Sequence, residues 1–154
     1  MDVGSIDISA GGMRAQRLRM DLIANNLANA DTTSATQEAV RGPDGQTWVR
    51  HLPYRRKQAV MVQGTPAKGN KTFGVAVPQV VEDASPFRME HNDAHPHSIP
   101  AASGQKDAGF VYFPNVHPLV ETVDMMAAAR AYEANLTAVD MFKSMSAATM
   151  RLLA

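Results

Sequence analysis

Side chains able to do chemistry gather in three places. His91, Asp93, His95 and His97 lie within seven residues, and imidazole with carboxylate is a donor set that zinc accepts. Pro96 denies that stretch the helical face on which His91 and His95 would converge, and no second ligand cluster occurs elsewhere, so a solvated polar loop over 91–107 is favoured. Residues 64–72 nearly spell a phosphate loop, which needs Lys directly after its second Gly. Asn70 separates Gly69 from Lys71, and a strand-like run containing Pro78 follows where the motif requires a helix N-terminus, so a hairpin loop is expected. Finally Arg50, His51, Tyr54, Arg55, Arg56 and Lys57, with Trp48 nearby, mix cations and aromatic rings as single-strand nucleic-acid sites do. Glu82, Asp83 and Glu90 are available to neutralise them, within or between subunits, so a protein contact or a solvated face is preferred. Neither a Gly-x-Ser-x-Gly elbow nor a Gly-x-Gly-x-x-Gly fingerprint is present.

The composition fits this lack of a reaction centre. The 154 residues carry 15 Lys+Arg against 15 Asp+Glu, and a zero net charge argues against nucleic-acid binding through bulk electrostatics. Hydrophobic residues make up 45%, but 24 are Ala and 10 are Met, while Leu, Ile, Val and Phe together number 31. That is the edge of what packs a core unaided. Small residues bury little area at roughly 25 cal/mol per Å², so part of the chain is expected to finish its packing against something outside itself. The absence of Cys excludes disulfides and thiolate metal sites. No apolar run is long enough for a transmembrane helix. The first basic residue is Arg14, with no continuous apolar segment before a cleavage site, so no cleavable secretory signal is expected. No cofactor is expected either.

The elements fall into three zones, 1–35, 36–113 and 114–154. In the first, Ile6, Ala10, Met13, Met20, Ile23, Ala24 and Leu27 recur with the period of one helix face and predict a helix to about residue 31. Asp2, Ser5 and Asp7 suit its start. Gly11 and Gly12 each cost it about 1 kcal/mol relative to Ala, so it needs a partner surface. In the middle zone, Pro43, Pro53, Pro66, Pro78, Pro86, Pro96 and Pro100 interrupt any helix. Turn chemistry at Gly42-Pro43-Asp44-Gly45 and alternation over 47–52, 56–63, 72–81 and 109–113 predict strands and loops. The last zone opens at Asn115-Val116-His117-Pro118, with Pro suited to a first helical turn. A continuous helix over about 119–152 carries the stripe Val120, Val123, Ala127, Ala131, Ala134, Ala138, Met141, Met145, Ala148 and Leu152. Alternating steps of three and four make it a coiled-coil seam by period, and its Ala residues permit close approach. The fold class is therefore α+β: paired long N- and C-terminal helices, coiled-coil-like, with a β-rich, proline-containing central insertion.

A family becomes visible in the run from Gly11 to Asp31. It resembles the N-terminal signature of bacterial flagellar rod and hook proteins, with Ala24–Ala30 at its core. Further segments narrow the likeness to a proximal-rod subunit: Gly42-Pro43-Asp44-Gly45-Gln46, Pro53-Tyr54-Arg55-Arg56-Lys57-Gln58, Ser85-Pro86-Phe87, Gly109-Phe110-Val111, Pro114-Asn115-Val116, and Ala129 through Asn135 followed by Lys143-Ser144-Met145. Together they cover about residues 5 to 152.

The resemblance implies a structural, non-enzymatic subunit of the flagellar drive shaft. Such a subunit is exported unfolded by the flagellar type III apparatus, polymerises in the periplasm beneath the hook, and transmits torque from motor to hook. Its implied partners are itself, FlgB-type and FlgF-type rod proteins and a FliE-type base adaptor, with no nucleic acid and no membrane insertion. Both termini would form an inner helical layer, with 36–113 as an outer excursion. Helix packing and assembly are assigned to Ile6, Met13, Met20, Ile23, Asn25, Asn26, Leu27 and Asn29, and to Val120, Val123, Ala127, Ala131, Ala134, Ala138, Met141 and Met145. Tyr54, Arg55, Arg56, Lys57, Pro114, Asn115, Tyr132 and Asn135 are candidate inter-subunit contacts. Asn25 and Asn29 share a helical face with Asn26 beside them, so their amides could bond across a helix interface and fix register; the alternative is that they only terminate the helix. The rivals are a binding module using Arg50–Lys57 and a metal protein at the His tract.

Overall fold

A computed structural model describes residues 3–41, 45, 47–65, 74–100 and 106–153. Most of the Gly42–Gly45 turn and of the 64–72 loop therefore lies outside the described residues, as do Asp2 and 101–105. The element order is α1 (Val3–Ala28), β1 (Thr36–Arg41), β2 (Thr47–Leu52), β3 (Lys57–Gln63), β4 (Val75–Glu82), β5 (Arg88–His91), β6 (Phe110–Phe113) and α2 (Pro118–Leu153). The strands form three two-stranded sheets, β1-β2, β3-β4 and β5-β6. Both long helices occur where their periodicity predicts them, and Pro118 is the first residue of α2, where its missing N–H is no loss. β1 and β5 lie where the sequence carries no readable alternation: apart from the half-buried Val40, their side chains are exposed.

The chain forms two compact units, each assembled from separated stretches. The first contains residues 1–24, 58–81 and 119–154. Within it α1 packs on α2: Arg19 pairs with Asp124 at 3.1 Å, and Gly12 lies against the Asn135 amide. As α1 advances from Gly12 to Arg19, the facing residue on α2 moves back from Asn135 to Asp124, so the helices run antiparallel. The two helical glycines now have a reason. A Cβ at Gly12 would stand 3.1 Å from Asn135 Nδ2, and one at Gly11 would stand 3.4 Å from the Val75 carbonyl oxygen on β4. Each surrenders helix propensity to let another group approach closely. Ala15, Ile23, Ala128 and Val139 are the buried apolar side chains described here, a thin core as the composition foretold. At 36 residues α2 is about 54 Å long.

The second unit contains residues 25–57 and 82–118. Its two antiparallel pairs are in register with Gln37 opposite His51 and Glu90 opposite Val111. Ile99, Val111 and Val116 are buried, but so are Asn26, Thr33 and Asn115. An isolated two-stranded pair is marginal in water, so the hydrogen-bonding side chains of this unit do much of the joining.

Candidate functional site

Two asparagines organise the second unit. Asn26, 1% exposed, donates from Nδ2 to the Lys57 carbonyl at 2.9 Å, while its Oδ1 accepts from the Lys57 N–H at 2.9 Å and from the Tyr54 hydroxyl at 3.0 Å. The amide side chain thus meets the N–H and the C=O of one residue, acceptor to donor and donor to acceptor. Asn115 instead bridges two stretches of chain. Its Oδ1 accepts from the Arg56 N–H at 2.9 Å, and its Nδ2 faces the Asp83 carbonyl at 3.2 Å, the Ser85 carbonyl at 3.3 Å and the Ser85 hydroxyl at 3.0 Å. Consecutive residues 56 and 57 are held by these two amides.

Within this chain Asn26 and Asn29 both have partners. Asn26 spends its amide on the Lys57 backbone of its own chain. Asn29 donates to the Asn25 carbonyl at 2.9 Å and accepts from the Thr32 hydroxyl at 3.2 Å, so it finishes α1 locally. Asn29 lies where α1 ends and the last carbonyls of the helix need donors.

The basic cluster is likewise occupied within the chain. Arg55 donates to the Asp83 carbonyl at 3.0 Å and stacks 4.3 Å from the Phe87 ring centroid; Arg56 lies 3.6 Å from the Asp83 carboxylate; Lys57 Nζ lies 5.8 Å from the Tyr54 ring centroid. Of the three acids foreseen as neutralising partners, Asp83 is the one seen pairing. The Ser85 backbone N–H and hydroxyl, then Arg56, hold its carboxyl below the usual range. Beside this cluster a cleft of about 280 Å³ is lined by Tyr54, Arg55, Lys57, Glu82 and Phe87 among others. The guanidinium groups of Arg55 and Arg56 are thus committed within the chain to a carbonyl, a ring and a carboxylate.

The His tract departs from a loose solvated loop. His97 stacks on His51 with ring centroids 4.3 Å apart and bonds Thr33, and Ile99 is buried. Among the described residues no three His, Asp or Glu side chains could hold a metal ion.

In the helical unit, α2 carries two stripes. The stripe facing inward runs through Glu121, Ala128 and Val139, all buried, with Met125, Tyr132, Asn135 and Ala138 half-buried along it. The stripe chosen by apolar period lies mostly on the other side: Val120, Val123, Ala127, Ala134, Met141 (62%) and Met145 (64%) are exposed, and Ala131 and Ala138 half-buried. Of the candidate inter-subunit contacts on α2, Tyr132 and Asn135 are half-buried, Asn135 donating to the Ala131 carbonyl at 2.8 Å. Pro114 and Asn115 are buried, Ile23 is buried, Met13 and Met20 are half-buried, and Ile6, Asn25 and Leu27 are exposed. No described helix is long and apolar enough to cross a membrane.

An exposed apolar stripe on a long terminal helix is the mark of a chain that builds something larger, and comparison with known proteins says what. The family model described as Flagella basal body rod protein matches residues 6–36, and that of the Flagellar basal body rod FlgEFG protein C-terminal matches 107–152. The flagellar basal-body rod protein FlgC of Borreliella burgdorferi is 37% identical, with 97% of this chain and 95% of the relative aligned. The chain belongs to the FlgC family of flagellar basal-body rod proteins. FlgC of Bacillus subtilis is also 37% identical, over 92% of this chain and 91% of that protein, and FlgC of Salmonella typhimurium 37% over 95% and 93%. As a FlgC-family member the chain is a structural rod subunit, not an enzyme. The two family matches coincide with α1 and with the segment from β6 through α2, so the resemblance is concentrated where the long helices are.

Proposed function

We propose that this chain polymerises with itself and with other rod proteins into the basal-body drive shaft, and that the outward stripe of α2 is the surface it contributes. The observation that carries this is the row Leu119, Val120, Val123, Met126, Met141, Met145 and Leu152, each between 49% and 87% exposed in the single chain. A monomeric protein rarely shows so continuous an apolar face unless another molecule covers it. FlgB-type and FlgF-type rod subunits and a FliE-type adaptor are the proposed neighbours, reached after export through the type III apparatus to the periplasm. The helices at 1–35 and 114–154 serve the axial core, and 36–113 the outer excursion. Long helices wedged against neighbours resist torsion because a small rotation would strain many close-packed contacts at once.

Peroxide footprinting tests the assignment, since thioether oxidation follows exposure. Met141 and Met145 are expected to oxidise readily in the free chain and to be shielded in isolated basal bodies. Equal oxidation in both states would remove the stripe from the interface, and absence of the chain from basal bodies would remove the rod assignment for this protein.

A further inference from the structure

Where the chain leaves α1, two consecutive hydroxyl residues meet two stacked imidazoles. Thr33 Oγ1 lies 2.7 Å from His97 Nδ1, and Ser34 Oγ lies 2.8 Å from His51 Nδ1. The rings of His51 and His97 stack at 4.3 Å and 23°. A third imidazole, His95, stands 5.2 Å from His97, and its Nδ1 accepts the His97 backbone N–H at 3.1 Å. His51 belongs to β2, His95 and His97 to the turn after β5, and Thr33–Ser34 to the segment entering β1, so one small cluster joins three stretches of chain. We propose that His51, His95 and His97 form an acid-released clasp that holds the β1–β2 hairpin at neutral pH and frees it when the rings take up protons.

The chemistry separates the bonds that survive protonation from those that do not. A hydroxyl can donate to a neutral Nδ1 or accept from a protonated one, so the Thr33 and Ser34 bonds adapt to either state. The His95 bond cannot, because a protonated Nδ1 becomes a donor facing the His97 N–H. Stacking also turns from favourable contact between neutral rings to repulsion between like charges once both are imidazolium. The other charged groups nearby offer no relief. Arg50, beside His51 on β2, adds positive charge and is engaged by Asp107 at 3.9 Å; Asp93 lies beside His91, 3.9 Å away. Burial first, and then the proximity of His51 and His95, lowers the His97 pKa from its ordinary value of 6.5. A depressed folded-state pKa makes the clasp's contribution complete above pH 6.5 and lost as the pH falls through the lower folded value.

Hydrogen exchange of the full-length chain at pH 7.5 and 5.0, with labelling times corrected for intrinsic exchange, reads the clasp directly. Amides of 36–41 and 47–52 are expected to lose protection about tenfold or more at pH 5.0, while α1 and α2 amides serve as an unchanged internal reference. In His51→Gln/His97→Gln the hairpin's protection is expected to become insensitive to that pH step. Unchanged protection in the parent, or an identical loss in the double variant, would overturn the proposal. Should that variant misfold, an imidazole NMR titration of the parent decides: hairpin resonances must shift with the His97 midpoint, below 6.5, and movement in the carboxylate range near pH 4 would refute the clasp.

Discussion

The two units of this chain close themselves by opposite means. The helical unit has a thin apolar core and leaves its large hydrophobics outside; of those exposed across the described residues, only Leu27, Val49 and Met89 belong to the other unit. The second unit buries Asn26, Thr33 and Asn115 and answers them with backbone and side-chain partners inside the same unit. Hydrogen bonds are directional and saturable, so a unit built on them can be finished within one chain. Apolar surface is neither, and a helix that displays it remains available to whatever neighbour fits. A subunit that must be both well formed and adhesive can divide the two requirements between two units.

The largest effect should come from attacking the self-contained unit at its most buried amide. Asn26→Ala strips the Lys57 peptide and the Tyr54 hydroxyl of their partners, and each buried polar group so orphaned costs about 1–3 kcal/mol. Urea denaturation is expected to show a loss of at least about 3 kcal/mol, and a loss below about 1 would break the contrast. Gly12→Leu probes the helical unit, where a side chain must displace the Asn135 amide; about 2 kcal/mol is expected to be lost, in the range of overpacked sites. Acid should act more mildly. Because the Asp83 pKa is depressed by Ser85 and then Arg56, its contribution is present above the unfolded value near 3.9 and disappears as the pH falls through the folded one. The stability gap between the parent and Asp83→Asn should therefore be open at pH 7 and narrow as the pH falls below about 3.8.

The smallest effect on the isolated chain is the most informative. Ala134 is exposed, so Ala134→Asp should alter the free subunit's stability by no more than about 0.5 kcal/mol. Motility should nonetheless be lost, since a carboxylate driven into an apolar helix contact is neither paired nor hydrated. Parental motility in that variant would show that the outward stripe is not used.

How far the sequence could be read differs between the units for the same reason. Apolar periodicity located both long helices, and Pro118 marked the start of α2. Yet on α2 periodicity selected the outward stripe, because the inward one is interrupted by Glu121, Tyr132 and Asn135, and an apolar count passes over it. In the second unit, β1 and β5 are exposed apart from the half-buried Val40 and left no alternation to detect. Asn26 and Asn115 were visible as residues of interest, but their partners are peptide groups, which carry no residue signature. The His51–His97 stack joins positions 46 apart and no local spacing announces it. The basic cluster was recognised, while its internal use depended on where Asp83 and Phe87 came to lie.

The amide pairings also set a timetable. Asn26 must find a peptide 31 positions away, and Asn115 one 59 positions away; distant closures of this kind slow the folding of small domains because chain entropy is spent before any reward arrives. As residues become available from the N-terminus onward, Asn26 can hold residue 57 as soon as that residue is present, but residue 56 is not locked until residue 115 has joined. The final shape therefore waits on the far end of the second unit and arrives late.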